Sequence, residues 1–596
     1  MQRLARDSPP ILEDLRLLQP PIDNLENHAR THARTHIQPR PPKMAPKTTQ
    51  LPTRKGPISQ LIGPFLRLSI PFLATAAIFN CGKDAFLKST SLKVIFVIST
   101  LVTLEGISGF QASVSSYLSG CTPPARYPHK DPILGIDLFN AALKALKSNH
   151  LLDLFHKQCQ TIAATFSYSS LGTDAIMTVE PENMKAVLQT NFEDWPIMGP
   201  RKDALAPLLG DGNIFQSNGK QWQHARAMIR PSFVRDQIAD LSCFEKHTKN
   251  LINKINEEAA IDQGEGRPAG TVDLQKLFFN MTMDSSSDFI LGRSTNILTT
   301  GCPETLAFND AFDYALLVSA TRGRLGKLSA LIPDKKFDSS VQIVREFVAH
   351  YVQEAIDMQR SAKSIPAERQ YVFLTELLKS GHFEKEFICD QVLGIFLAGR
   401  DTTAAVLATL FWTLARRPDA VERLRKEIFE KCDADKMPTW EDLKNMTYLQ
   451  HCIKEILRLY PPVATNSRGA LRDTILPVGG GKDGKSPIYV RKGTILRWTS
   501  YTLHRNKELF GEDAEEFNPD RWNKIRPTWE YIPFNGGPRI CPGQQFAITQ
   551  VSLVAVKLLR AFKHIRARDD RELLQRVSTT ISLPNGVWVE MVPANA

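Results

Sequence analysis

From about residue 120 to the end, long helical patterns alternate with short strand-like runs; the helices are concentrated in the middle and there is no internal repeat. The longest pattern covers residues 384–416, where Phe387, Ile388, Val392, Ile395, Phe396, Leu407, Leu410, Phe411 and Leu414 put apolar side chains nearly all round the helix. A helix of that kind is buried in a large core or in lipid, and Asp390, Arg400 and Asp401 near its middle argue against lipid. A second helix is expected over 449–460, stopped by Pro461-Pro462, and a third over 544–562. Residues 474–476 and 488–490 read as the arms of a hairpin around a glycine-rich turn. The pattern predicts a mainly α (α+β) domain over residues 116–596, a large helical part with a small β-rich part.

Two uncharged apolar runs, 68–82 and 94–104, precede that domain. Neither reaches the roughly 20 residues that span a bilayer, but each can be lengthened, the first past a snorkelling Arg67 and the second past Glu105. Residues 44–115 are therefore expected to be a basic and apolar membrane-anchor region with one or two segments in contact with membrane lipid; a pair of buried core helices is the other reading. Basic residues ahead of the first run keep the N-terminus cytosolic, and a hairpin of two segments returns the large domain to the same side. Residues 1–43, rich in Pro, His and Arg with a doubled His-Ala-Arg-Thr, read as a disordered leader upstream of Met44.

Composition narrows the class. With 596 residues, 42% hydrophobic and 23% charged, the chain is not collagen-like, low-complexity or a polytopic membrane bundle. The formal charge of +11 raises the question of nucleic acid, but its distribution answers it. Residues 1–43 carry seven Lys/Arg against five Asp/Glu and residues 44–93 seven against one, which leaves +3 for everything else. A domain so nearly neutral has no footprint for nucleic acid. Nine scattered cysteines without a CxxC pair indicate a reducing compartment with neither a disulfide framework nor a zinc cluster.

Three places carry candidate chemistry. Ala398-Gly399-Arg400-Asp401-Thr402-Thr403 interrupts the long apolar helix with a glycine and polar side chains, which makes room for something beside it; a simple polar turn with a local ion pair is the bland alternative. Glu455 and Arg458 share a helix face at a spacing of three, and Arg521 downstream could close a clamp of one carboxylate between two guanidiniums, although such pairs are commonly solvated. In Pro533-Phe534-Asn535-Gly536-Gly537-Pro538-Arg539-Ile540-Cys541-Pro542-Gly543, glycines allow close approach of a flat ligand and Cys541 stands just before a helix whose N-terminus favours a thiolate. A thiolate with a cationic Arg539 beside it suits haem iron.

The pattern Phe534, Gly537, Arg539, Cys541, Gly543 resembles the haem-thiolate loop of the cytochrome P-450 superfamily. Ala398 to Thr403 is then similar to that family's oxygen-activating helix, Glu455 with Arg458 to its Glu-x-x-Arg pair, and Trp222 with Arg226 to its Trp-x-x-x-Arg helix. The resemblance implies the family's fold behind an N-terminal membrane anchor, with haem b ligated by Cys541. It further implies that Thr402 and Asp401 manage protons, that Arg226, Arg468 and Arg539 hold propionates, and that Glu455, Arg458 and Arg521 lock the core. It also implies O2, electrons from NADPH through a separate cytochrome P-450 reductase, and an endoplasmic reticulum membrane with the haem domain facing the cytosol. Strings such as Phe192-Glu-Asp-Trp195 and Leu208-Leu-Gly-Asp-Gly212 look most like the fungal alkane and fatty-acid terminal hydroxylase branch, from which Pro542 and the leader depart. A small apolar substrate follows, with Phe396, Val463 and Ala464 expected to line its pocket. The competing readings are a monooxygenase that tailors specialised metabolites and a haem sensor without turnover, the latter disfavoured by Asp401-Thr402. Residues 479–486 also satisfy a P-loop expression, but Pro487 and a strand follow where a phosphate-binding helix is required.

Overall fold

The computed structural model describes residues 109–594, apart from 132–133, 235–238, 261–269, 361–372, 380, 382–383 and 434–435, and a few isolated earlier positions. The leader and both apolar runs of the anchor region lie almost wholly outside the described residues.

The all-round apolar pattern forms one unbroken helix, Lys385–Leu414. Its first half packs Ile388, Val392, Leu393 and Phe396 among Phe308, Phe312 and Phe347 of helices Pro303–Leu325 and Lys335–Arg360. Its second half packs Leu407, Leu410, Phe411 and Leu414 with Leu449, Ile453 and Ile456 of helix Thr447–Leu459 and Leu553 and Leu558 of helix Gln544–Ala561. Among the described residues this is the one helix long and apolar enough to cross a membrane, yet 83% of its apolar window is buried within the protein, so it is a core helix. Each large apolar side chain withdrawn from water contributes about 1.5–3 kcal/mol, which outweighs the roughly 1 kcal/mol that Gly399 costs inside a helix. That glycine has a use: a Cβ there would stand 2.9 Å from the Ser286 hydroxyl of helix Leu274–Leu291, which lies alongside.

The β structure is small and peripheral. A five-stranded sheet runs in the order Ala125–Arg126, Thr165–Ser170, Thr173–Thr178, Ile495–Thr499, Thr465–Gly469. Thr165–Ser170 and Thr173–Thr178 turn on Leu171 and Gly172, both at positive φ, a conformation matched to the twist of a tight hairpin. The pairing of Leu496 with Arg468 fixes the edge strand's register and carries Arg468 to the cavity described below. Thr474–Gly480 pairs with Ser486–Val490, and the intervening glycines make a hairpin turn rather than a phosphate cradle.

One buried carboxylate joins helix Thr447–Leu459 to the long chain segment after it. Glu455 accepts from Arg458 Nε at 3.0 Å, Arg521 Nε at 2.9 Å, Trp522 Nε1 at 3.0 Å and the Asn518 N–H at 3.0 Å. Arg458 then spends its remaining donors on the carbonyls of His504, Ala514 and Glu516. His504 is buried and neutral, its imidazole pushed down to about 3 chiefly by desolvation. Its Nδ1–H donates to the Arg458 carbonyl at 3.2 Å and its Nε2 accepts the Ile532 N–H at 2.9 Å. The pair therefore sits in a satisfied network, unlike a solvated surface bridge.

Glu455→Ala leaves the buried Arg458 without its counter-charge and Arg521 with Asp513 alone, and the expected loss is about 3–5 kcal/mol, read as a lower denaturant midpoint. An unchanged midpoint contradicts this account of the network.

Candidate active site

The segment after Ile532 is shaped by backbone demands that its sequence meets. Asn535 at φ 64° and Gly537 at φ 63° reverse the chain twice. A Cβ on Gly537 would lie 1.8 Å from the Leu188 carbonyl oxygen, so only glycine fits that approach. The Cys541 N–H donates to the Phe534 carbonyl at 3.0 Å and the Ile540 N–H to the Gly537 carbonyl at 3.1 Å, closing the loop just before helix Gln544–Ala561. Cys541 lies deep in the protein, yet part of its surface is accessible, and that part opens onto a large cavity. Burial pushes the thiol up, while the Gly543 N–H and the Arg226 guanidinium act in the opposite direction. Gly543 leaves the sulfur uncovered: a Cβ there would stand 4.0 Å from Sγ and 3.4 Å from the Phe233 ring.

The cavity is lined by Cys541, Phe534, Pro542, Gly543, Trp222 and Val463, and its charged lining residues are four arginines, Arg201, Arg226, Arg468 and Arg539, with no carboxylate. Arg226 is four residues from Trp222 on helix Gly219–Ile229, and the Arg539 guanidinium lies 4.5 Å over the Trp222 ring. Arg539 donates to the Ser217 carbonyl at 2.8 Å and Asn218 Oδ1 at 3.0 Å. Arg468 donates to the Ser467 carbonyl at 2.8 Å, while Arg201 donates to Asn466 Oδ1 at 2.7 Å. Desolvation and mutual repulsion push Arg468 down to about 9 and Arg539 down to about 10. The buried Nε–H groups of Arg468 and Arg539 have no partner. Four like charges and orphaned donors around a cavity with one open sulfur are costly for the protein alone. They fit a flat dianionic ligand that brings two carboxylates and a metal that takes a thiolate, which describes haem.

The long helix supplies one wall. Ile395, Ala398, Gly399, Thr402, Thr403 and Val406 line the cavity at the spacing of one helical face. The Thr402 hydroxyl donates back to the Ala398 carbonyl at 2.6 Å. Asp401, one residue earlier, is turned aside from the cavity: Oδ1 accepts from Arg400 at 3.3 Å and Oδ2 from the Thr580 hydroxyl at 3.4 Å. Arg400 is held in turn by Asp313 and Asn309 of helix Pro303–Leu325. Burial is the largest influence on Asp401 and pushes its carboxyl up to about 6, against the pull of Arg400.

Two expected pocket residues are elsewhere. Phe396 is fully buried edge-on to Phe308, with ring centroids 5.6 Å apart, because it lies a third of a turn from Ile395 and faces the neighbouring helices. Ala464 packs with Leu151, Leu152, Ala405 and Tyr501. Conversely, Arg201 and Thr580 line the cavity without having been expected. One further group of metal-ligating types, Cys243, His247 and Asp288, lies together in the described residues. Its His247–Asp288 hydrogen bond of 2.8 Å, with burial pushing the imidazole down, and the exposed Lys246 ammonium 3.1 Å from the same carboxylate account for the grouping.

Comparison with known proteins agrees with this geometry. A family model described as cytochrome P-450 matches residues 132–586. The cytochrome P-450 monooxygenase himC of Aspergillus japonicus is 39% identical over 79% of this chain and 84% of its own length. The monooxygenase fsdH of Fusarium heterosporum is 38% identical over 83% of this chain and 88% of its own. Cytochrome P-450 52A4 of Candida maltosa is 40% identical over 71% of this chain and 79% of its own.

Cys541→Ser is expected to abolish the thiolate-type carbon monoxide spectrum of the reduced protein, because an oxygen donor gives iron less charge than a thiolate; an unchanged spectrum overturns the ligand assignment. A second expectation concerns pH. Asp401 keeps its proton in the fold up to about pH 6 but loses it near 3.8 when unfolded, so its contribution to stability falls as pH rises between those values. Asp401→Asn removes that slope, and a denaturation series in which the two proteins run parallel from pH 4 to 6 contradicts it.

Proposed function

The chain belongs to the cytochrome P-450 family, whose members are haem-thiolate monooxygenases using O2 and reductase-supplied electrons, and on that premise we propose terminal hydroxylation of a long-chain fatty acid or n-alkane. The observation that carries the reading is the make-up of the cavity lining: besides Cys541 and the four arginines, residues such as Leu205, Leu209, Ile290, Ile395 and Val463 offer only hydrocarbon. An apolar lining with few polar groups suits a hydrocarbon chain, and the strings shared with the fungal alkane and fatty-acid branch point the same way.

Bound haem with a Cys541 thiolate supplies oxygen-activating chemistry, the sulfur's electron donation favouring O–O cleavage. The chain's own residues do the rest in this reading. Arg201, Arg226, Arg468 and Arg539 neutralise the propionates and are neutralised by them. Gly543 keeps the sulfur's approach clear, while Gly537, turned against Leu188, and Phe534, whose carbonyl takes the Cys541 N–H, shape the loop that presents it. Thr402 holds a hydroxyl proton at the cavity wall, free to turn from the Ala398 carbonyl, and Asp401, half protonated near pH 6, is the acid behind it. The clamp of Glu455, Arg458 and Arg521 fixes the frame. Residues 44–115 are read as the anchor to the endoplasmic reticulum membrane, with residues 116–596 as the cytosolic haem domain, residues 1–43 as the leader, and NADPH–cytochrome P-450 reductase as the electron donor.

A panel of C12 to C18 acids and alkanes, offered to the purified protein with reductase, tests the substrate. Shifts in the haem absorption spectrum and terminally hydroxylated products are expected. Absence of both from every member sinks the assignment and favours a bulkier specialised metabolite.

A further inference from the structure

Asp401 and Thr402 are neighbours in sequence, and a helix turns about 100° per residue, so the two side chains cannot share a face. Thr402 lines the cavity and Asp401 does not. A carboxylic acid that serves the cavity from the side needs an intermediary. Among the described residues one side chain both lines the cavity and hydrogen-bonds the Asp401 carboxylate: Thr580, at 3.4 Å from Oδ2.

We propose that Thr580 is a positioning residue for Asp401, and that its hydroxyl carries the Asp401 proton into the cavity. The proposal rests on the acid role given to Asp401 above. In the transfer, protonated Asp401 gives its proton to Thr580 Oγ1 while Thr580 releases its own hydroxyl proton to an acceptor in the cavity. One proton enters the hydroxyl and one leaves, so the threonine stays neutral and the new carboxylate is countered by Arg400. Such contacts are commonly long before a site is loaded and tighten afterwards.

The surroundings hold this arrangement in place. Thr580 sits in the turn between Arg576–Val577 and Ile581–Ser582, where the Ser578 N–H donates to its carbonyl at 2.9 Å and the Ile581 N–H to the Pro462 carbonyl at 3.0 Å. Arg324 at the end of helix Pro303–Leu325 donates to the carbonyls of Val577 and Ser578 at 2.5 and 3.4 Å. The same helix presents Asp313 and Asn309 to Arg400, and Asp310 also feels that guanidinium. The charged groups acting on Asp401 are thus Arg400 beside it and Asp313 across from it, and Thr580 is its neutral contact.

The test compares Thr580→Val, Thr580→Ser and Asp401→Asn in the full-length holoprotein. Difference infrared spectroscopy follows the Asp401 carboxyl band, identified by its loss in Asp401→Asn, and peroxide released per NADPH reports coupling. Thr580→Val is expected to raise the pH at which the band titrates and to increase peroxide several-fold, with both restored by Thr580→Ser. A titration and coupling unchanged by Thr580→Val, in a protein where Asp401→Asn alters coupling, overturn the role of Thr580 while leaving that of Asp401. Equal loss of product in the valine and serine variants with an unmoved carboxyl band assigns Thr580 to packing and also overturns the proposal. Normal coupling in Asp401→Asn removes the acid role itself, and this proposal with it.

Discussion

Everything at the active site hangs from a carboxylate that never sees water. Glu455 takes hydrogen bonds from two arginines, a tryptophan and a backbone N–H, and removing the carboxylate itself would leave Arg458 buried without its counter-charge where the dielectric is low. Arg458 passes the constraint to the His504 carbonyl, and the His504 ring fixes the Ile532 N–H. Two residues later the Phe534 carbonyl fixes the Cys541 N–H. Hydrogen bonds joined by short stretches of chain thus lead from the middle of a helix to the backbone of Cys541, with a neutral histidine as the link that proton uptake would break.

The second organising fact is electrostatic. A cavity lined by four guanidiniums with no acid among its lining residues is poorly designed as an empty space and well designed as a socket. The protein holds this cationic charge in place through Trp222, Asn218 and Asn466, where we propose that the cofactor's anionic edge binds. Preorganisation of this kind places the reorganisation cost in folding rather than in binding. The apolar remainder of the cavity is then left to the substrate.

How much of this was legible beforehand depended on the range of the physical rule involved. Gly537, Cys541 and Gly543 are read from a few adjacent positions because backbone sterics and thiolate chemistry restrict each one. Glu455 and Arg458 are one helical step apart, so their pairing was visible, and their burial was not. Phe396 shows the limit: in a helix apolar all round, periodicity says nothing about which face meets a cavity and which meets a neighbouring helix. Arg201, at the start of helix Pro200–Leu209, and Thr580, in a turn near the C-terminus, reach the site only through tertiary folding. The apolar runs of residues 68–82 and 94–104 give a clear pattern that falls almost wholly outside the described residues.

The central claim is that Cys541 and the arginine socket together define a haem-thiolate site. Iron K-edge X-ray absorption on the purified full-length holoprotein tests it most directly. The account predicts one sulfur scatterer in the first coordination sphere alongside the porphyrin nitrogens, lost in Cys541→Ser. An iron sphere with only nitrogen and oxygen neighbours in the unmutated protein would contradict it.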